Sequence, residues 1–164
     1  MFRRERDEIG RAIESRGFNE NLGSYVGELD GDWLDAALLL MGCLGYQHPT
    51  HPRMRTTFDR LQERLGRNGL LYRYEEGTDH LPSREGAFGI CSFWAIDNLA
   101  RRGDLEAAER AFEHILSFAN DVGLFAEEID PDTGEALGNF PQAFTHVGLI
   151  NAAMALAESR KAGG

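Results

Sequence analysis

Apolar positions along this chain recur at helical spacing in six stretches. They predict helices over about Arg3–Arg16, Trp33–Gly45, Pro52–Leu65, Phe88–Arg101, Leu105–Asn120 and Gln142–Arg160. The first, third and fifth keep a charged side. Met54, Phe58, Leu61 and Leu65 share one face of the third, while Glu106, Glu109, Arg110 and Glu113 mark the polar side of the fifth. The second, fourth and sixth are apolar on nearly every side. A helix of that kind needs protein all round it, whereas a helix with one polar face suits the outside. The order predicted is outer, inner, outer, inner, outer, inner.

Connection length alternates in step. Short turns, YQHPTH and RRGD, follow the second and fourth helices. Long loops follow the outer helices: GFNENLGSYVGELDGD, GRNGLLYRYEEGTDHLPSREGA and DVGLFAEEIDPDTGEALGNFP. Long loops in a compact domain usually carry function. Each begins with Gly or Asn near a helix end, as a C-cap does. Each then gives an apolar-aromatic run and acids: LGSYVGELD, GLLYRYEE, GLFAEEID. The last two align at a spacing of about 54 residues, the length of one helix-pair unit. If the inner helices run parallel, all three long loops meet at one mouth. The predicted fold is therefore all-α, a partial α/α toroid whose six helices make about half of a twelve-helix ring and leave open edges.

A length of 164 residues suits one domain with a real core. The net charge of −10 argues against nucleic acid and anionic membranes as partners, and costs a neutral sugar nothing. Cys43 and Cys91 lie in apolar helical patterns and read as small buried hydrophobes. The charged start, MFRRERDEIG, lacks a signal-peptide apolar core, and LDAALLLMGCLG is too short to span a bilayer. A cytoplasmic protein is expected. His48, His51 and His80 lack zinc-ligand spacing, DPDTG lacks the full calcium-loop pattern, and no phosphate loop or nucleophile elbow occurs. No cofactor or metal is predicted.

Two long motifs, EGAFGICSFWAIDNLARRGDLEAAERAFEHIL and GLFAEEIDPDTGEALGNFPQAFTHVGLINAA, resemble the end of bacterial glycoside hydrolases of family 15, the glucoamylase-like family. LDAALLLMGCLGY and GLLYRYEE resemble the preceding barrel segments, so the likeness runs from about Arg4 to Glu158. It implies an (α/α)6 barrel and inverting hydrolysis of α-glucosidic bonds, in starch-type or dextran-type glucans or in trehalose. Inversion needs one carboxyl to protonate the leaving oxygen and another to activate water.

By this resemblance Glu127, in FAEEID, matches the catalytic base; read from its residues alone it is a solvated loop acid. Glu128 is a substrate contact, with a hydrogen-bonding or surface acid and, as a lesser alternative, the base itself left open. Arg73, in YRYEE, resembles the family arginine that donates to sugar hydroxyls, and its residue-level alternative is a surface salt bridge. Tyr74 and Glu76 share its loop and are candidate cleft residues. Trp33 and Trp94 could each be a sugar platform, though core packing is the commoner use of such a Trp; Trp33 is taken as the candidate. His146, within an apolar helix, reads as a core residue. The family's general acid lies in an earlier segment rich in Trp and paired acids. Glu28, Glu75, Glu76 and Glu85 do not match its motif. The chain thus reads as the C-terminal half of the catalytic barrel, 1–164, apparently truncated, without the acid segment or the N-terminal β-domain of many bacterial members. Expected partners are an α-glucoside oligosaccharide or trehalose, and the absent barrel half or a second copy. The alternative is a non-catalytic helical module that binds sugar or a partner protein through its open edges.

Overall fold

A computed structural model describes residues 2–75 and 85–163. The helices are α1 (Phe2–Arg16), a 3-10 turn (Ala36–Leu39) running into α2 (Leu40–Cys43), α3 (Pro52–Leu65), α4 (Gly89–Arg101), α5 (Leu105–Leu116) and α6 (Ala143–Gly163). Seven two-residue strands decorate the long loops. β1 (Phe18–Asn19) pairs with β2 (Ser24–Tyr25), and β3 (Gly66–Arg67) with β4 (Leu70–Leu71). The strands β5 (Ala87–Phe88), β6 (Glu128–Ile129) and β7 (Ala136–Leu137) form one antiparallel sheet. Among the described residues no helix is long and apolar enough to cross a membrane.

The second helix is shorter than its apolar pattern predicts. Trp33 and Leu34 precede it, because Asp35 is extended and caps the turn, its carboxylate accepting from Ala37 N at 2.7 Å. Gly45, with φ of +74°, closes the other end. The fifth helix likewise stops at Leu116 rather than near Asn120.

Helix α4 is the centre of the arc. Every residue from Gly89 to Ala100 is buried. Helix α6 packs against α4 and α5, and α2 lies against α4 on the other side. Glycines set the close approaches: a Cβ at Gly42 would meet Asn98 Oδ1 at 2.4 Å, at Gly89 Thr145 Cγ2 at 2.7 Å, and at Gly148 Phe93 Cβ at 3.1 Å. These contacts join start to start and end to end, so the inner helices run parallel. The outer helices α3 and α5 bury only one face, through Phe58, Leu61 and Leu65 and through Ala108 and Ile115. Helix α1 buries no residue.

The sixth helix departs from the surrounded position predicted for it. Phe144, Val147, Ile150 and Met154 are each about half exposed, in a stripe along one side. Among the described residues α6 packs mainly against α4 and α5, which leaves this stripe uncovered.

Candidate active site

The long loops share one backbone plan. Each turns on a glycine with positive φ: Gly23, Gly69 and Gly123 at +63°, +79° and +79°. Two residues later comes a fully buried anchor, Tyr25, Leu71 or Phe125. Each anchor N–H is satisfied by a side chain: Thr57 Oγ1 for Tyr25 at 2.9 Å, Ser92 Oγ for Leu71 at 3.0 Å, and His146 Nε2 for Phe125 at 3.3 Å. The ring of His146 also meets Gln142 O at 2.7 Å through Nδ1, so both ring nitrogens are engaged, but the residue is half-buried rather than in the core that its apolar pattern suggested.

Two residues past the anchor the second and third loops reach Arg73 and Glu127. Arg73 O accepts the N–H of Ala36, and Glu127 O accepts the N–H of Gly89, both at 3.0 Å. Ala36 and Gly89 are the first residues of successive inner helices. The next positions pair in the same way, Tyr74 with Asp35 and Glu128 with Phe88. Each loop is therefore stitched to the N-terminal end of the preceding inner helix, and Arg73 and Glu127 belong to one rim. The tips are tied as well. Arg67 grips Asp132 through Nε and Nη2 at 3.0 and 2.7 Å, and Asn68 Nδ2 donates to Pro131 O at 2.9 Å.

Arg73 makes the ion pair that its residue type allowed. Asp35 takes Nε at 2.6 Å and Nη2 at 3.3 Å. Burial works against the guanidinium charge, but the hydrogen bond and charge of Asp35 outweigh it and hold the Arg73 pKa above its ordinary value. The guanidinium carbon lies 5.0 Å from the Tyr74 ring centre and 5.8 Å from that of Trp94. Among the described residues nothing bonds to Nη1, which leaves one edge of the fork for a further acceptor. Trp33 stands 6.2 Å from Tyr74, ring to ring, and lies over Gly27, where a Cβ would meet the indole at 2.5 Å. Trp33, Tyr74 and Arg73 thus form one polar-aromatic wall. Trp94 is a core residue, 8% exposed and edge-on to Phe144.

Glu127 and Glu128 face different partners. Glu127 is held by Asn139, whose Nδ2 and backbone N donate to Oε2 at 2.7 and 3.1 Å. Glu127 N returns a bond to Asn139 O at 2.9 Å. No described residue bonds to its Oε1. Glu128 Oε2 accepts from Gly86 N at 2.7 Å. Burial pushes the Glu128 pKa up, the Gly86 N–H opposes this, and the nearby Glu127 charge adds to the rise. Glu76 lies outside the described residues. Among those described, no group of three or more His, Cys, Asp or Glu is arranged to hold a metal ion.

Asp35 and Asn139 are the residues that sequence reasoning did not single out. Asp35 carried a signal, since Asp directly before an apolar helix reads as an N-cap. Asn139 carried none, because its link to Glu127 spans the whole β6–β7 hairpin.

Residues 1–154 match the family model for glycosyl hydrolases family 15. The chain belongs to that family. Among curated relatives, it is 43% identical over 148 residues to a trehalase of Mycolicibacterium smegmatis, which spans 89% of this chain and 21% of the relative. A trehalase of Thermoplasma acidophilum is 38% identical over 153 residues, 93% of this chain and 26% of the relative. The family 15 chain therefore spans about a quarter or less of the curated relatives it matches. In fold it resembles a solved wild-type glycosidase with a TM-score of 0.79 at 20% identity, covering 92% of this chain and 43% of the other. A glycosidase variant in complex with glucose matches with a TM-score of 0.78 at 19% identity. These likenesses agree with a partial (α/α)6 toroid.

Proposed function

We propose that this family 15 chain carries the base side of an inverting α-glucosidase site. Glu127 deprotonates the attacking water, and Arg73 donates to sugar hydroxyls through Nη1, to which no described residue bonds. The observation that carries the reading is the shared register of Arg73 and Glu127, each two residues past a buried anchor and each bonded to the start of an inner helix. A base needs one carboxylate oxygen presented to water and the other held still, and the bonds to Oε2 supply the hold. Trp33 and Tyr74 offer ring faces to the apolar side of a pyranose, while Glu128 contributes a polar contact; Glu76, outside the described residues, is kept as a substrate contact on the resemblance alone. The named trehalases among the relatives favour trehalose, with starch-type and dextran-type oligosaccharides as the wider class. Inversion also needs a general acid on the opposite face of the sugar, about 6.5–9.5 Å from the base.

A second reading is supported by the exposed stripe on α6. On that reading the chain is a helical module that binds carbohydrate, or a partner protein, without cleaving.

The test is glucose release from trehalose, maltose and dextran by the wild type and by Glu127→Gln, with the first-formed anomer read by NMR. Loss of release in the variant is expected, with β-glucose first from dextran and equal amounts of α- and β-glucose from trehalose, because water inverts only the attacked carbon and the leaving half keeps its configuration. Equal rates in both proteins, α-glucose first from dextran, or α-glucose alone from trehalose would overturn the assignment. Calorimetric binding of trehalose without turnover in either protein favours the module.

A further inference from the structure

We propose that Asn139 is the positioning residue of the base, selecting which Glu127 oxygen meets water; this rests on the assignment of Glu127 above. Three hydrogen bonds join the two residues: Nδ2 to Oε2 at 2.7 Å, the Asn139 N–H to Oε2 at 3.1 Å, and the Glu127 N–H back to Asn139 O at 2.9 Å. The backbone pair fixes the distance between the strands that flank the hairpin. The side-chain amide fixes the carboxylate itself.

Its neighbour makes the arrangement compact. Gly138, with φ of +70°, leaves room where a Cβ would sit 3.0 Å from both Cβ and Oε2 of Glu127. The carboxylate is thus closed in beside Gly138 and bonded twice at Oε2, and its remaining oxygen is the one left to accept a proton from water. Two donors on one oxygen also remove the freedom of the carboxylate to rotate and exchange its oxygens. A proton acceptor held in one orientation loses no alignment at the moment of attack.

Two substitutions separate this role from mere packing. Asn139→Ala removes one donor and keeps the backbone pair. Asn139→Asp keeps the shape but replaces a donor by a second carboxylate, which becomes a donor again only when a proton is shared between the two acids. The expected result for Asn139→Ala is a fall in kcat of about tenfold with KM within about twofold. For Asn139→Asp, activity relative to wild type at the same pH should be lowest near neutrality and rise as pH falls. A second readout needs no turnover: the side-chain carboxyl 13C resonance of Glu127, assigned by its disappearance in Glu127→Gln, should move in both variants at pH 7. Wild-type kcat, a wild-type pH profile and an unmoved resonance in both variants would overturn the role of Asn139. If the chain shows no turnover, the resonance decides alone: displacement upholds the hold on the carboxylate and an unmoved signal overturns it. Full activity of Glu127→Gln would instead overturn the base assignment itself.

Discussion

Ser92 and His146 do the same work one repeat apart. Each lies 21 residues beyond a buried amide and accepts its N–H, Ser92 that of Leu71 and His146 that of Phe125. Arg73 and Glu127 follow these amides by two residues, so the acceptors brace the segments that carry the rim. Ser92→Ala leaves the Leu71 N–H buried without a partner, at a cost of about 1–3 kcal/mol. Urea denaturation should show a lower midpoint with an unchanged slope. His146→Leu should do the same for the segment of Glu127. A midpoint within error of wild type for both would remove this account.

Asp35 joins the helix cap to the guanidinium of Arg73, so its loss should be felt in both. Asp35→Asn keeps an oxygen for Ala37 N and weakens the grip on Arg73, whereas Asp35→Ala removes both. Trehalose affinity measured by calorimetry should fall in both variants, and thermal stability should fall more in Asp35→Ala, by about 1 kcal/mol for the lost cap. Arg73→Lys should also weaken binding, because an ammonium cannot hold Asp35 at two points and still present a fixed third donor. Wild-type affinity in Arg73→Lys would count against a sugar contact there.

Gly27 is the floor beneath the Trp33 ring. A methyl group at this position would stand 2.5 Å from the indole, so Gly27→Ala should tilt Trp33 away from Tyr74. The expected signature is a changed tryptophan emission together with weaker sugar binding. Trp33→Phe should weaken binding without unfolding, since Trp33 is only half-buried. Unaltered binding in both variants would make Trp33 a packing residue.

Glu128 makes stability depend on pH in a direction opposite to that of an ion-paired acid. Burial raises its pKa above the ordinary 4.5, so the folded chain holds this proton more tightly than the unfolded one. Its contribution is fully present below pH 4.5 and is lost as pH rises through the raised value. Glu128→Gln keeps an acceptor for Gly86 N and removes the charge. Its stability relative to wild type should therefore be near parity below pH 4.5 and greater above it, as read from denaturation midpoints across pH 3.5–8. A pH-independent difference would place the origin elsewhere.

Much of the loop plan that carries the candidate residues was legible because the chain repeats. GLLYRYEE and GLFAEEID align at a spacing of about 54 residues, and the positive-φ glycines at 69 and 123 give the two runs one backbone plan, which sets Arg73 opposite Glu127 in the alignment. The first loop follows the plan less closely. Gly27 stands where the others have Arg73 and Glu127, and the room it leaves is filled by Trp33. The open face of α6 escaped prediction because an apolar pattern reports what a helix can bury, not whether a neighbour is present.

The order of residues by itself determined the alternation of inner and outer helices, the long loops and the family to which they belong, because periodicity and motif spacing are local properties. Only the tertiary structure decided that Asp35 would hold Arg73 and that Asn139 would hold Glu127. Those pairings join segments 38 and 12 residues apart, and a hydrogen bond of that span exists only once packing has brought its ends together.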